Sequence, residues 1–184
     1  MFKIILNSWL LCSSLFFLSS CQTADEQLLP WGYNNKMVIH HYQVLDGDTI
    51  SGVNPEGKLI RIRLTGIDAP ENDQPMGKES HKSLEQCLAG KPLIINWSTT
   101  DKYDRLLAKV IAGKQDCNLV QIQNGYAWHY KYFENDQPSI DRMNYSKAES
   151  SARTKKVGLW KFECPTPPWD WRRKRIIDCS KQRN

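Results

Sequence analysis

Three runs rich in β-branched residues, Val38–Leu45, Thr49–Val53 and Leu59–Leu64, stand close together in the first half of this chain, and the last of them alternates strictly. Leu59, Arg61 and Arg63 fall on one face of an extended strand, with Ile60, Ile62 and Leu64 on the other. The turn signal Asn54-Pro55-Glu56-Gly57 joins the second run to the third, so the segment predicts a strand followed by a hairpin. Helices come later. Met76–Leu88 follows a Pro-containing loop and ends at Ala89-Gly90, Asp116 caps a helix ending at Asn124-Gly125, and Ser139–Lys156 is a longer polar helix stopping at Val157-Gly158. Leu93–Trp97 and Leu106–Ile111 supply two more strands. Five strands with about three helices set between and after them predict an α+β fold, a small Greek-key β-barrel of the OB type.

The chain has 184 residues, 40% of them hydrophobic, which is enough for one sizeable core and excludes a disordered or low-complexity protein. Residues 1–20 fall outside that fold. Lys3 precedes an apolar run from Ile4 to Leu18, broken by Asn7, Ser8, Cys12, Ser13 and Ser14, which reads as a secretory signal peptide. A retained membrane helix is the competing reading, but the stretch is short for a hydrocarbon core of ~30 Å and polar in its middle. It ends Leu18-Ser19-Ser20-Cys21, which resembles the lipobox of bacterial lipoproteins. That resemblance implies lipidation at Cys21, and Gln22 after it implies the outer membrane. Cleavage that leaves Cys21 a free thiol on a secreted protein is the alternative.

Residues 21–36 then form a tether, 37–161 the folded domain, and 162–184 a basic extension. Four cysteines follow Cys21, namely Cys87, Cys117, Cys164 and Cys179, and an even number in an exported chain reads as two disulfides. Three connectivities are open. Cys87 with Cys117 and Cys164 with Cys179 is favoured, because the second pair closes a short loop that pins the basic tail; zinc is disfavoured by the lack of any Cys-x-x-Cys spacing. The net charge of +5 on the whole chain becomes +4 once Lys3 is removed. Residues 165–184 hold six cations against two acids, also +4, so the body between is neutral. Three readings of Trp169-Asp170-Trp171-Arg172-Arg173-Lys174-Arg175 are open: a phosphate-binding arm, a contact to anionic lipid, or a solvated end.

The chemistry concentrates in three stretches: Asp46-Gly47-Asp48-Thr49, then Arg63-Leu64-Thr65-Gly66-Ile67-Asp68-Ala69-Pro70-Glu71, then Asp101-Lys102-Tyr103-Asp104-Arg105. Carboxylates at strand ends suit a hard cation with oxygen ligands, Ca²⁺ or Mg²⁺. Taken singly, each stretch has a plain explanation as a hairpin turn, a capping loop or a solvated charge run. Taken in this order, the set resembles the thermonuclease, or staphylococcal-nuclease-like, family over about residues 37–161, including Gly158-Leu159-Trp160.

That resemblance implies an OB-type barrel and a Ca²⁺-dependent nuclease acting on single-stranded DNA and RNA with low sequence specificity. It implies that Asp48, Asp68 and the backbone carbonyl of Ala69 hold one Ca²⁺, with Asp46 behind them. Glu71 would orient or deprotonate the attacking water, and Arg63 and Arg105 would clamp the phosphate. Lys102 and Tyr103 would flank the phosphate pocket, with Tyr130, from Trp128-His129-Tyr130-Lys131-Tyr132, against the nucleotide. The chain departs from the family at Ala69, where threonine is familiar, and at Asp104, where glycine is frequent. A divalent cation and two arginines fit phosphodiester hydrolysis on physical grounds, because the transition state gathers charge on its equatorial oxygens. A monomer is expected. The other function class, a catalytically inactive nucleic-acid- or partner-binding module on the same barrel, has no need of the full metal and water set.

Overall fold

The computed structural model describes residues 32–178. The expected signal peptide over 1–20, Cys21 with most of the expected tether, and Cys179 lie outside the described residues. Nine strands and four α-helices occur among the described residues: β1 (Asn35–Ile39), β2 (Tyr42–Val44), β3 (Thr49–Val53), β4 (Leu59–Leu64), β5 (Ile67–Asp68), α1 (Gly77–Leu88), β6 (Leu93–Thr100), β7 (Arg105–Ala112), β8 (Gln115–Asp116), α2 (Cys117–Gln123), β9 (Trp128–His129), α3 (Ser139–Thr154) and the single turn α4 (Pro168–Trp171). The expected α+β architecture is present.

The main sheet runs in the order β1-β6-β7-β4-β3-β2, with β8 paired to β7, and only the β4·β7 pairing is parallel. Its two ends, β1 and β2, are consecutive in the chain and separated by His40 and His41 alone, so one bent stretch joins both edges and closes the sheet on itself. The single strand expected over Val38–Leu45 is therefore two, and both histidines are exposed at the bend. Closure requires a sharp change of direction there, and neither glycine nor proline marks it.

The face of β4 carrying Ile62 and Leu64 turns inward with Ile50, Ile95 and Val110. On α1 the buried residues Ser80, Ser83, Leu84, Cys87 and Leu88 recur at helical spacing, which lays that helix on the barrel. α2 begins where expected, with the Asp116 carboxylate accepting from the Leu119 N–H at 3.0 Å. The Cys87–Cys117 disulfide ties α1 to the start of α2, as expected. Cys164 is also disulfide-bonded, and the partner expected for it, Cys179, lies outside the described residues.

The domain reaches further at both ends than residues 37–161. Tyr33 is 4% exposed and donates to Asp141 at 3.3 Å, so it belongs to the core rather than to a tether. At the other end, residues 165–177 fold back across the barrel: Gln74 donates to the Thr166 carbonyl at 2.6 Å, the Trp171 indole to Asp73 at 3.3 Å, and the Ile177 N–H to the Thr166 hydroxyl at 3.1 Å. Among the described residues no helix is long and apolar enough to cross a membrane.

Candidate active site

Two turns carry the carboxylates. The Asp46-Gly47-Asp48 turn enters β3, and Asp46 fixes it by accepting from the Asp48 N–H at 2.9 Å. α2 secures it from behind, since Gln121 donates to the Gly47 carbonyl at 2.7 Å and to the Ser80 carbonyl at 2.9 Å. A Cβ at position 47 would lie 1.9 Å from the Ser80 hydroxyl, so only glycine lets the turn sit this close to α1. The second turn leaves β4 and returns through β5, where Asp68 pairs with Trp128 of β9. Glu71 follows in a loop closed by Gln74, whose side chain accepts from the Glu71 N–H at 3.1 Å. Gly77 is required beneath that loop, since its absent Cβ would be 1.9 Å from the Glu71 carbonyl.

Arg63 joins the two turns. Its Nη1 lies 2.8 Å from Asp48 Oδ2, and its Nη2 donates to Asp68 Oδ1 at 2.8 Å. Both carboxylates are buried, Asp68 to 1% exposure. Asp48 also accepts from the Ala69 N–H at 2.7 Å and the Thr49 hydroxyl at 3.0 Å. Burial pushes the Asp48 carboxyl well above the usual range, aided by Asp46 and Asp68, while Arg63 opposes the shift. For Arg63, burial works against the charge but Asp48, Asp68 and Asp46 overcome it, and the guanidinium is held ionised more firmly than usual.

A carboxylate raised by burial gains from a cation at its open side, and hard divalent cations take carboxylate and carbonyl oxygens. Asp48, Asp68 and the Ala69 carbonyl are the oxygen donors here that would hold such a cation. Among the described residues no group of three or more His, Cys, Asp or Glu side chains is arranged to hold a metal ion, so such a cation would complete its shell with water.

Arg172, which sequence reasoning did not assign to the site, closes it from outside. Its Nη2 donates to Asp68 Oδ2 at 2.8 Å, and its Nη1 donates to Glu71 Oε1 at 2.7 Å and to Asp68 Oδ1 at 3.2 Å. Burial opposes its charge, but Asp68 and Glu71 raise its pKa above the usual guanidinium value. The available signal was the basic tail, which composition alone could not aim.

Asp48, Asp68, Ala69, Arg63 and Glu71 are thus brought together. Lys102, Tyr103 and Arg105 gather in a neighbouring cluster on the turn into β7. In the β4·β7 pairing Arg105 stands opposite Arg61, which puts it on the same sheet face as Arg63. Asp101 holds Arg105, accepting from Nε at 2.8 Å and lying 2.7 Å from Nη2, and the Lys102 and Arg105 cations sit 5.0 and 5.5 Å from the Tyr103 ring. Burial is the largest single influence on the Asp101 carboxyl and raises it, but the hydrogen bonds from the Arg105 side chain and from the N–H groups of Arg105 and Tyr103, with the Arg105 charge, together outweigh it, and its pKa is lowered. Asp104, the departure from glycine, has φ 58°, a left-handed conformation that aspartate tolerates, and it is exposed rather than turned on Arg105.

Tyr130 is half-buried, 5.4 Å from the Trp169 ring and 6.2 Å from the Tyr132 ring. The open ring of this cluster is Tyr132, 79% exposed. Trp128 is core, edge-on to Trp160 at 5.4 Å.

Residues 61–162 match the family described as Staphylococcal nuclease homologue. The chain is similar to a Haemophilus influenzae protein called an uncharacterized endonuclease, 33% identical over 96% of this chain and 88% of that one. An Escherichia coli O157:H7 protein, also called an uncharacterized endonuclease, is 37% identical over 72% of this chain and 83% of its own. The staphylococcal-like nuclease CAN1 of Arabidopsis thaliana is 37% identical over 64% of this chain, which spans 35% of that longer protein. The matched segment contains most of β4, all of β5 and the 101–105 turn, and so the site residues other than the first carboxylate turn and the tail; on that match and on a relative aligned nearly end to end, the chain belongs to the staphylococcal nuclease homologue family.

Proposed function

We infer that this nuclease-family protein is a Ca²⁺-dependent phosphodiesterase that hydrolyses single-stranded DNA and RNA with low sequence specificity. The observation that carries the reading is that two buried carboxylates, Asp48 and Asp68, meet on the one guanidinium of Arg63, with the Glu71 carboxylate beside them. The likeness to proteins named endonucleases supports it.

Asp48, Asp68 and the Ala69 carbonyl would hold Ca²⁺, which when bound supplies positive charge against the phosphate oxygens and acidifies a water. Glu71 accepts the proton of the attacking water at Oε1 as the water oxygen bonds to phosphorus and one ester P–O bond breaks, the departing oxygen keeping the bond pair and taking a proton from solvent. The Arg63 fork donates to the charge gathering on the equatorial oxygens, and Arg105 donates from the adjoining strand. Lys102 and Tyr103 line the approach, and the tyrosines at 130 and 132 offer rings on which a base stacks without hydrogen-bond readout, which favours single strands of any sequence. The enzyme acts as a monomer on a lipid anchor at Cys21, on the outer membrane.

The test is digestion of single-stranded DNA and RNA by the purified protein, with Ca²⁺ and with chelator. Cleavage in Ca²⁺ that stops with chelator is expected, and intact substrate in Ca²⁺ would overturn the reading. Partition of the wild type, but not Cys21→Ala, into detergent phase checks the anchor.

A further inference from the structure

Asp68 is held between two arginines of different character. Arg63 lies beneath, with its side chain 14% exposed, while Arg172 lies above at 45% and comes from a segment more than a hundred residues away. Arg63 takes Oδ1 of Asp68 at 2.8 Å. Arg172 takes Oδ2, and with its other nitrogen Oε1 of Glu71. Those are the oxygens that the proposed function requires to be open: Oδ2 is the face of Asp68 left for a cation, and Oε1 is the atom that receives the proton of water. A guanidinium and a divalent cation cannot both use them.

We propose that Arg172 is an intramolecular occupant of the cation site, delivered by the C-terminal extension, and that the divalent cation binds by displacing it. The inference rests on the reading of Asp48 and Asp68 as cation ligands. Delivery does not depend on Arg172 itself. The extension is fixed just ahead of it by the Gln74 bond to Thr166, the Trp171 bond to Asp73, and the Trp169 ring against Trp128 and Tyr130 at 6.2 and 5.4 Å. The guanidinium is therefore presented at high local concentration, and a swing of its side chain uncovers Asp68 Oδ2 and Glu71 Oε1. Its charge makes it a competitor for two carboxylates in a body of neutral net charge. Competition of this kind weakens the apparent cation affinity by the fraction of molecules in which the site is free. Partly exposed charge-assisted hydrogen bonds to two carboxylates correspond to about a tenfold effect.

The experiment is calorimetric titration of the whole chain with Ca²⁺ alone, without nucleic acid, comparing wild type, Arg172→Ala and Arg173→Ala. Arg173 is exposed on the same turn, and its removal changes the net charge equally. Affinity about tenfold tighter for Arg172→Ala, with Arg173→Ala within twofold of wild type, is the expected result. Arg172→Ala at or below wild-type affinity, or tightened only as much as Arg173→Ala, overturns the displacement while leaving the cation reading in place. No Ca²⁺ binding by either wild type or Arg172→Ala overturns both.

Discussion

Arg63→Lys separates charge from geometry at the centre of the site. The arginine serves two buried carboxylates with two different nitrogens, Nη1 toward Asp48 and Nη2 toward Asp68, each at 2.8 Å. A lysine keeps the charge but has one nitrogen, so one carboxylate loses its partner. A charge-assisted hydrogen bond to a buried carboxylate is worth about 1.5–3 kcal/mol. The Ala69 and Thr49 donors at Asp48 and Arg172 at Asp68 soften the loss, which sets the expected destabilisation near 2 kcal/mol, or a Tm lower by about 6 °C for a domain of this size. That figure applies in chelator. With Ca²⁺ the difference should narrow, because the cation takes over the neutralisation of both carboxylates. Activity should not recover with it: removing one donor from a developing oxyanion costs about 10²–10³ in kcat. Differential scanning calorimetry with and without Ca²⁺, together with initial rates on single-stranded DNA, gives all three quantities. A variant within threefold of wild-type kcat, or one with an unchanged Tm in chelator, would refute the bidentate role.

Three further outcomes follow from neighbouring contacts. Asp101→Asn frees Arg105 and should lower kcat/KM by about ten- to a hundredfold, as loss of orientation does. The lowered Asp101 pKa also fixes the sign of a pH effect: its stability is present above the usual carboxylate pKa near ~4 and is lost as pH falls through the lower folded value, so urea midpoints of wild type and variant should converge in acid and stay apart at pH 7. Gly77→Ala forces a Cβ against the Glu71 carbonyl; kcat should fall at least about tenfold while calorimetric Ca²⁺ affinity holds, and an unchanged kcat would show that the Glu71 loop is not positioned by that approach. Replacing both Cys87 and Cys117 by serine opens a cross-link over a sequence separation of 30, and chain entropy puts the loss near 3.5 kcal/mol; an unshifted urea midpoint would refute that estimate.

What could be read in the sequence was local. The alternation of β4, the Asn54–Gly57 turn and the Asp116 cap each depend on residues within a few positions of one another, and the structure keeps them. The carboxylate turns were legible because their spacing repeats a family pattern. The bend at His40-His41 was not, since it is imposed by the need to close a barrel whose edges are β1 and β2. The β5·β9 pair was missed because two-residue strands carry no period. α3 looked merely polar because its buried face includes Asp141 and Glu149, whose partners come largely from other elements: Lys109 and Tyr33 for one, Lys131 and the His129 N–H for the other, beside its own-helix pair with Arg153. Arg172 belongs to the same class. It was visible as one cation among several, and only the fold distinguishes it from Arg173.

The two arginines expected to clamp a phosphate are both engaged with carboxylates in the structure, Arg63 with Asp48 and Asp68, and Arg105 with Asp101. On the proposed function these pairs would store the arginines for substrate. A carboxylate and a phosphodiester each present two oxygens to a planar fork, so substrate can take over contacts the arginine already makes with little change in its orientation. The cost of holding a guanidinium in one rotamer is then met during folding, and the fork is aimed before substrate arrives. The same logic accounts for the neutral body. A site of acids and arginines paired one to another carries little net field, so entry of a cation and then of an anionic strand changes partners within a fixed frame. The surplus charge of the chain is left to the tail, from which Arg172 alone reaches Asp68 and Glu71 among the described contacts.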